Sequence, residues 1–273
     1  VDARTGYNFQ KLASSEGGNR VNHVEIALVV FACVFGSAFL GLHLRTILPA
    51  HHLSDESTAA LKMAAGLIAT MAALVLGLLV SSAKNLFDTV NGEVVQNAAS
   101  IIFFDRVLAK YGTETKELRD LLKERVGTSI QILASGEPAQ LAKLHGPAAI
   151  RQAESFQAKV EQLAPHSDRQ RELRAHAIQI ADEVLSARQL MVLQAEGSPS
   201  IPLLVCLVMW LAIIFCSFGL FAPTNATVIV GLFLGALSTS VAIFLILEMS
   251  TPLDGVIRIS LTPLREAFSM IGR

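Results

Sequence analysis

Residues 60–80 read ALKMAAGLIATMAALVLGLLV, a run of 21 residues with Lys62 as its only charge. A helix of that length rises about 30 Å, enough to cross the hydrocarbon core of a bilayer. A soluble core helix is usually shorter and keeps one polar face, which this run lacks. Three more runs share the property: 24–42, 201–222 and 226–247. Four such runs place the chain in a membrane, with the lipid bilayer as its first partner.

The rest of the chain is different. Of 273 residues, 52% are hydrophobic and the mean hydropathy is +0.51. That is too apolar for a soluble domain, yet less so than a chain made only of spans. Residues 83–199 are charged and read as a soluble domain between the second and third spans. The fold class is therefore an all-α membrane protein, four transmembrane helices with a helical cytoplasmic domain inserted between helices two and three. Its expected divisions are a polar N-terminal segment (1–22), helices one and two (23–82), the cytoplasmic helical domain (83–199), the hairpin of helices three and four (200–248) and a cytoplasmic C-terminal segment (249–273). The first span follows a polar stretch, Thr5 to Asn22, and precedes no small-residue cleavage site, so a signal peptide is not expected.

Within 83–199 only helical patterns appear. The second helix starts near Asp55, with Ser54 as N-cap and Asp55 and Glu56 matching the dipole, and runs on past Lys84. Val94, Ala98, Ile101, Ile102 and Leu108 continue the pattern until Tyr111-Gly112 ends it. A helix over 113–134 has Thr113 and Thr115 as cap candidates and Leu118, Leu121, Leu122 and Val126 on one face. Gly136, Pro138, Gly146 and Pro147 predict a loop over 135–146; helices follow at 148–163 and 168–196. Val256 to Ile271 reads as a short amphipathic helix or an extended segment.

Chemistry-bearing patterns are sparse. The sequence has no GxSxG, HExxH, P-loop or GxGxxG, so it is not read as an enzyme, and no cofactor or metal is expected. His51-His52 with Asp55 and Glu56 lack a third well-spaced ligand and read as a loop and helix start. Cys33, Cys206 and Cys216 lie in apolar runs without metal spacing and read as small buried hydrophobes. Glu25 and Glu248 sit at span ends, within reach of the interface. A net charge of −1 gives no reason to expect nucleic acid.

The most informative pattern is on the second span. Gly66, Thr70, Ala73, Gly77 and Ser81 recur at spacings of four, three, four and four, a narrow stripe of small and slightly polar residues. It either admits a neighbouring helix at close range or lines a narrow path around a symmetry axis. Gly231, Gly235, Ser238 or Thr239, and Ala242 form a similar stripe on the fourth span, where packing is the favoured reading.

Several strings carry a resemblance: Leu48-Pro49 with His52 to Ser57, Leu74 to Lys84, Asp105-Arg106 with Tyr111-Gly112, Phe218 to Asn225, and Ala242 to Glu248 through Pro252 and Gly255. As a set, spanning essentially 24–270, they resemble the bacterial bestrophin-like family. The resemblance implies a four-span subunit with a helical cytoplasmic domain. Bestrophins are pentameric anion channels with a narrow hydrophobic neck on the second span and a cytoplasmic vestibule. Here the neck positions offer Met71, Leu74 and Leu78 and no Phe, and no acidic cluster resembles the bestrophin calcium clasp. The resemblance thus carries the fold further than calcium gating or chloride selectivity.

The reading that follows is a homo-oligomeric ion channel of the bacterial inner membrane, pentamer first, with anions as candidate cargo. Helix two lines the pore through Gly66, Thr70, Ala73, Gly77 and Ser81, with Met71, Leu74 and Leu78 as the hydrophobic constriction. The rival is a non-conducting scaffold or accessory subunit whose cytoplasmic helices bind a partner protein. Flanking Lys11, Arg20, Arg258, Arg265 and Arg273, with Lys84, Arg106, Lys110 and Arg188, put both termini and 83–199 in the cytoplasm. Single cysteines at Ser57 and Ser167, probed with an impermeant thiol reagent on intact cells, should react at 57 only; reaction at 167 alone reverses the topology.

Overall fold

The computed structural model describes residues 22–49, 55–195, 201–223, 225–253 and 256–273. The N-terminal segment, His51-His52, Ser54 and Gly255 lie outside them. Every regular element described is helical: α1 (His23–Ile47), α2 (Asp55–Tyr111), α3 (Lys116–Ser135), α4 (Pro138–His145), α5 (Pro147–Glu161), α6 (Asp168–Ala195), α7 (Ile201–Phe221), α8 (Ala226–Met249) and α9 (Thr262–Met270), with one 3₁₀ turn at Thr113–Thr115. Four of them, α1, α2, α7 and α8, are long and apolar enough to cross a membrane.

The chain divides into two compact units, Val1–Ala69 with Val208–Phe244, and Thr70–Leu207 with Leu245–Arg273. In the first, α1 and α7 meet backbone to backbone. A Cβ added at Gly41 would collide with the Cys216 carbonyl, and one at Gly219 with the Ala38 carbonyl. Ala38-x-x-Gly41 on one helix thus faces Cys216-x-x-Gly219 on the other, the close approach that small residues permit in lipid. On α8, the Ser240 hydroxyl donates to the Ala27 carbonyl of α1, and Gly235 receives the ring of Phe215. Phe233 meets Phe31 and Phe35 edge-on, with centroids 5.5 and 5.6 Å away. At the C-terminal end of α7 two cations gather. Arg45 donates to the Ala222 carbonyl and the Lys62 ammonium lies 5.6 Å from the Phe221 ring centroid, a placement the helix dipole favours.

The second unit is built around the inner face of α2. Val90, Val94, Ala98, Ile101, Phe104 and Leu108 of that helix are buried with Leu118, Leu122 and Val126 of α3, Phe156 and Val160 of α5, Ala177 and Ile180 of α6, and Leu264 and Ala267 of α9. Gly112, at φ +144°, ends α2 in a conformation that a side chain rarely adopts. Asp105, buried in this core, takes two hydrogen bonds from Arg119 at 2.8 and 2.9 Å. It also accepts the Gly272 amide at 3.3 Å, while Lys123 holds the Ile271 carbonyl at 3.1 Å. One ion pair therefore ties α2, α3 and the C-terminal segment together.

Three local expectations change. The predicted loop over 135–146 contains α4, because Gly136 (φ +63°) closes α3 and Pro138 is compatible with a first helical turn. Thr115 precedes α3 without capping it; its hydroxyl turns back to the Leu108 and Gly112 carbonyls. The 256–271 segment is part extended and part helical, its helix confined to Thr262–Met270.

The α1–α7 crossing yields a direct test. Gly219→Ala should lower the thermal midpoint of the purified protein, since the added methyl has only backbone to displace; overpacking of this kind costs about 1–3 kcal/mol. Gly231→Ala, whose Cβ would meet open space, should leave the midpoint unchanged or higher.

Candidate functional site

Helix α2 runs 57 residues without a break, roughly 85 Å at 1.5 Å per residue. Its sequence permits this: there is no proline between Pro49 and Pro138. The apolar run can occupy only about 20 of those residues in a bilayer, so most of the helix extends beyond it.

The helix has two distinct sides. Ala72, Leu79, Ala83, Val90, Val94 and Ile101 are buried. Gly66, Thr70, Ala73, Gly77 and Ser81 are all exposed on the other side. A Cβ built at Gly66 or Gly77 meets nothing within 4 Å, so no described element packs against the stripe at those two positions. Within this chain, Gly66 and Gly77 do not serve a helix crossing. The α2 span is also the least covered of the four: 11% of its most apolar window is buried, against 22% in each of the others.

Met71, Leu74 and Leu78 are exposed by 46, 70 and 67%. At about 100° per residue, Leu74 lies beside Thr70 and Ser81, while Met71 and Leu78 stand nearly a third of a turn from the centre of the stripe. Beyond the apolar run, Lys84, Asp88, Arg106 and Lys110 continue the line of the stripe and are exposed. Lys84 pairs with Asp88 one turn on. The extended strip thus carries three cations and one anion.

Other residues singled out from sequence fall as follows. Glu25 is exposed in the first turn of α1. Glu248, at the end of α8, is 3% exposed, and its carboxylate accepts the backbone amides of Val256 and Ile257, the latter at 3.3 Å. It anchors the segment after α8 by satisfying amides that have no helix to bond. Cys33 is exposed, contrary to the buried reading, and Cys206 and Cys216 are half-buried. On α8 the stripe splits: Gly235 packs on Phe215, while Gly231 meets open space.

Sequence periodicity missed a set of polar atoms on or near the inner face of α2. Glu93 Oε2, Asn97 Oδ1 and Tyr111 Oη are buried without a hydrogen-bond partner. Their signal in the sequence is a polar residue in register with Val90, Val94, Ala98 and Leu108. Burial raises the Glu93 carboxyl above its ordinary value, since desolvation disfavours the charged form.

The four apolar helices define a helical membrane protein. The chain belongs to the bestrophin-like family: the bestrophin-like domain matches residues 31–264, most of its length. No curated protein and no solved structure matches it.

Glu93 supplies a pH test. A carboxyl whose pKa is raised on folding costs stability once the pH exceeds its unfolded value; below that value the cost is absent. Glu93→Gln should therefore raise the thermal midpoint at pH 7–8, and the two proteins should converge below about pH 4, under the ordinary Glu range. A Glu93→Gln protein less stable at every pH would contradict this account of the buried carboxyl.

Proposed function

We propose that the protein is a passive, oligomeric ion channel of the bacterial inner membrane in which the exposed stripe of α2 lines the pore. The observation that carries this reading is the bare stripe itself. Five small residues lie exposed in register on an apolar helix, and Gly66 and Gly77 face open space. Lipid gives no reason to thin a helix to Gly, Ala, Ser and Thr along one line, whereas a symmetry axis does: small side chains leave room, and hydroxyls replace part of an ion's hydration shell. Family membership supports the same reading, because bestrophins are channels. A pentamer is the first choice of assembly on that ground alone.

Anions are the favoured cargo. The strip continues as Lys84, Asp88, Arg106 and Lys110, a net positive line repeated once per subunit around an axis, and such a line concentrates anions. Leu74 is the best-placed of the three constriction candidates, being nearest the stripe; Met71 and Leu78 would turn toward the adjacent subunit. In this reading 83–199, both termini and the 249–273 segment are cytoplasmic, and the helices beyond the apolar run form the vestibule wall.

The scaffold reading has one observation in its favour: Val95 and Phe103, both large and apolar, are about half exposed on α2 beyond the apolar run and would suit a protein partner. Single-channel recording separates the two. Ala73→Leu should cut conductance in planar bilayers roughly tenfold or more, through narrowing alone, with the oligomer intact by mass photometry. If the stripe instead packs against a second copy, the same leucine overpacks that contact by about 1–3 kcal/mol. Assembly then falls first. Wild-type protein that assembles and passes no ions supports the scaffold.

A further inference from the structure

The second unit contains a cavity of about 230 Å³ between α2, α3, α5 and α6, with Leu144 of α4, Leu264 of α9 and Leu253 completing its wall. Its wall is apolar over most of its area, with Ile101, Phe104, Leu122, Phe156 and Val184 among the lining residues. Arg125 is the one charged residue that lines it. The Arg125 guanidinium is 5.2 Å from the Phe156 ring centroid and donates to the Gln152 carbonyl and, at 3.4 Å, to the Ser155 hydroxyl. None of these partners is an anion. Glu124, its sequence neighbour, is exposed and lends the guanidinium a favourable charge without a direct hydrogen bond. Burial lowers the Arg125 pKa, a sign that desolvation outweighs the favourable charges around it. A guanidinium nevertheless stays protonated, so the cavity's edge carries one half-exposed positive charge whose hydrogen-bond partners are neutral.

The same cavity is lined by Asn97, whose Oδ1 is buried without a partner. An unmade hydrogen bond in an apolar wall is costly, and native structures rarely leave one. Its amide can present either an acceptor or two donors to an occupant. Ser129 and Gln157 complete the polar lining, and Gln157 is already engaged with Asp182 at 2.7 Å. Glu93, one turn from Asn97 on α2, does not line the cavity.

An apolar chamber with a single cation and an unsatisfied amide matches one chemistry. We propose that this cavity binds a single-chain amphiphile with one anionic head, a medium-chain carboxylate in its simplest form. Arg125 takes the head, Asn97 supplies a second hydrogen bond, and the apolar wall takes the chain. Size sets the class: an apolar cavity of about 150 Å³ takes a benzene-sized ligand, so this one takes a ligand roughly half as large again. An eight-carbon chain fits that volume, and a two-chain lipid exceeds it severalfold. A single anionic head matches the single arginine. The proposal stands apart from the pore assignment, because it involves no residue of the stripe.

The test uses the full chain in lipid nanodiscs and a diazirine-bearing analogue of octanoic acid, with adducts located by mass spectrometry. Adducts should fall on peptides covering 94–104, 122–133 and 181–185. Octanoate should displace the probe, and octan-1-ol should do so at least about tenfold less well, the scale of one charge-assisted hydrogen bond. Arg125→Gln should weaken labelling to a similar degree. Ala181→Phe, which fills the chamber, should remove it. Should Ala181→Phe fail to fold, the competition and Arg125→Gln still decide. Adducts confined to the four apolar runs would mean bilayer uptake alone and overturn the proposal. So would equal displacement by octan-1-ol, or labelling unchanged in Arg125→Gln. None of these results depends on whether the protein conducts.

Discussion

Burial along one side of α2 is the constraint on which the second unit depends. Val90, Val94, Ala98, Ile101, Phe104 and Leu108 present one continuous apolar face, and helices from α3, α5, α6 and α9 close over it. Fixing this many residues in one helix costs backbone entropy at every position. Helix propensity repays little of that; packing of the inner face does. The consequence falls on the other side. A helix held by one face leaves its opposite face free to do something else, and there the small residues and the cationic line are found.

Polar groups do the work of fixing ends. Asp105 with Arg119 binds the C-terminal segment to α2 and α3, and Glu248 anchors the chain after α8 through two backbone amides. Both carboxylates are buried. Removing one partner of such a group leaves an uncompensated charge, which is far costlier than never having buried it. Arg45 serves the same purpose at the end of α7, on a carbonyl that no helix turn can satisfy. The strings that resemble the bestrophin-like family therefore have physical roles. Asp105 carries the ion pair, Gly112 the helix stop, Gly219 the crossing with α1 and Glu248 the anchor. None of these four roles is a catalytic or conducting one. They explain why the family's fold carries over to this chain more securely than any transport property.

The sequence by itself determined the four spans, the all-helical class and the unbroken second helix. Those rest on length, apolarity and the absence of proline, which act locally. It also determined that Gly66, Thr70, Ala73, Gly77 and Ser81 share one face, because helical period fixes register. It could not determine what that face meets. Periodicity states which residues lie together on a helix and is silent about which face a neighbour covers. Only the tertiary structure decided that the stripe on α2 is bare while Gly41 and Gly219, in no conspicuous stripe, make the tight crossing. The misread segments have the same cause. Gly136, Pro138, Gly146 and Pro147 read as loop because each breaks a helix interior, yet each sits at a helix boundary, where it costs little. The anchoring role of Glu248 was not legible because its amide partners lie eight and nine residues on, in a segment without periodicity. Asn97 showed only as a polar residue in register with Val90, Val94 and Ala98, and Arg125 gave no signal: the chamber is lined from six helices, and no single helix encodes it.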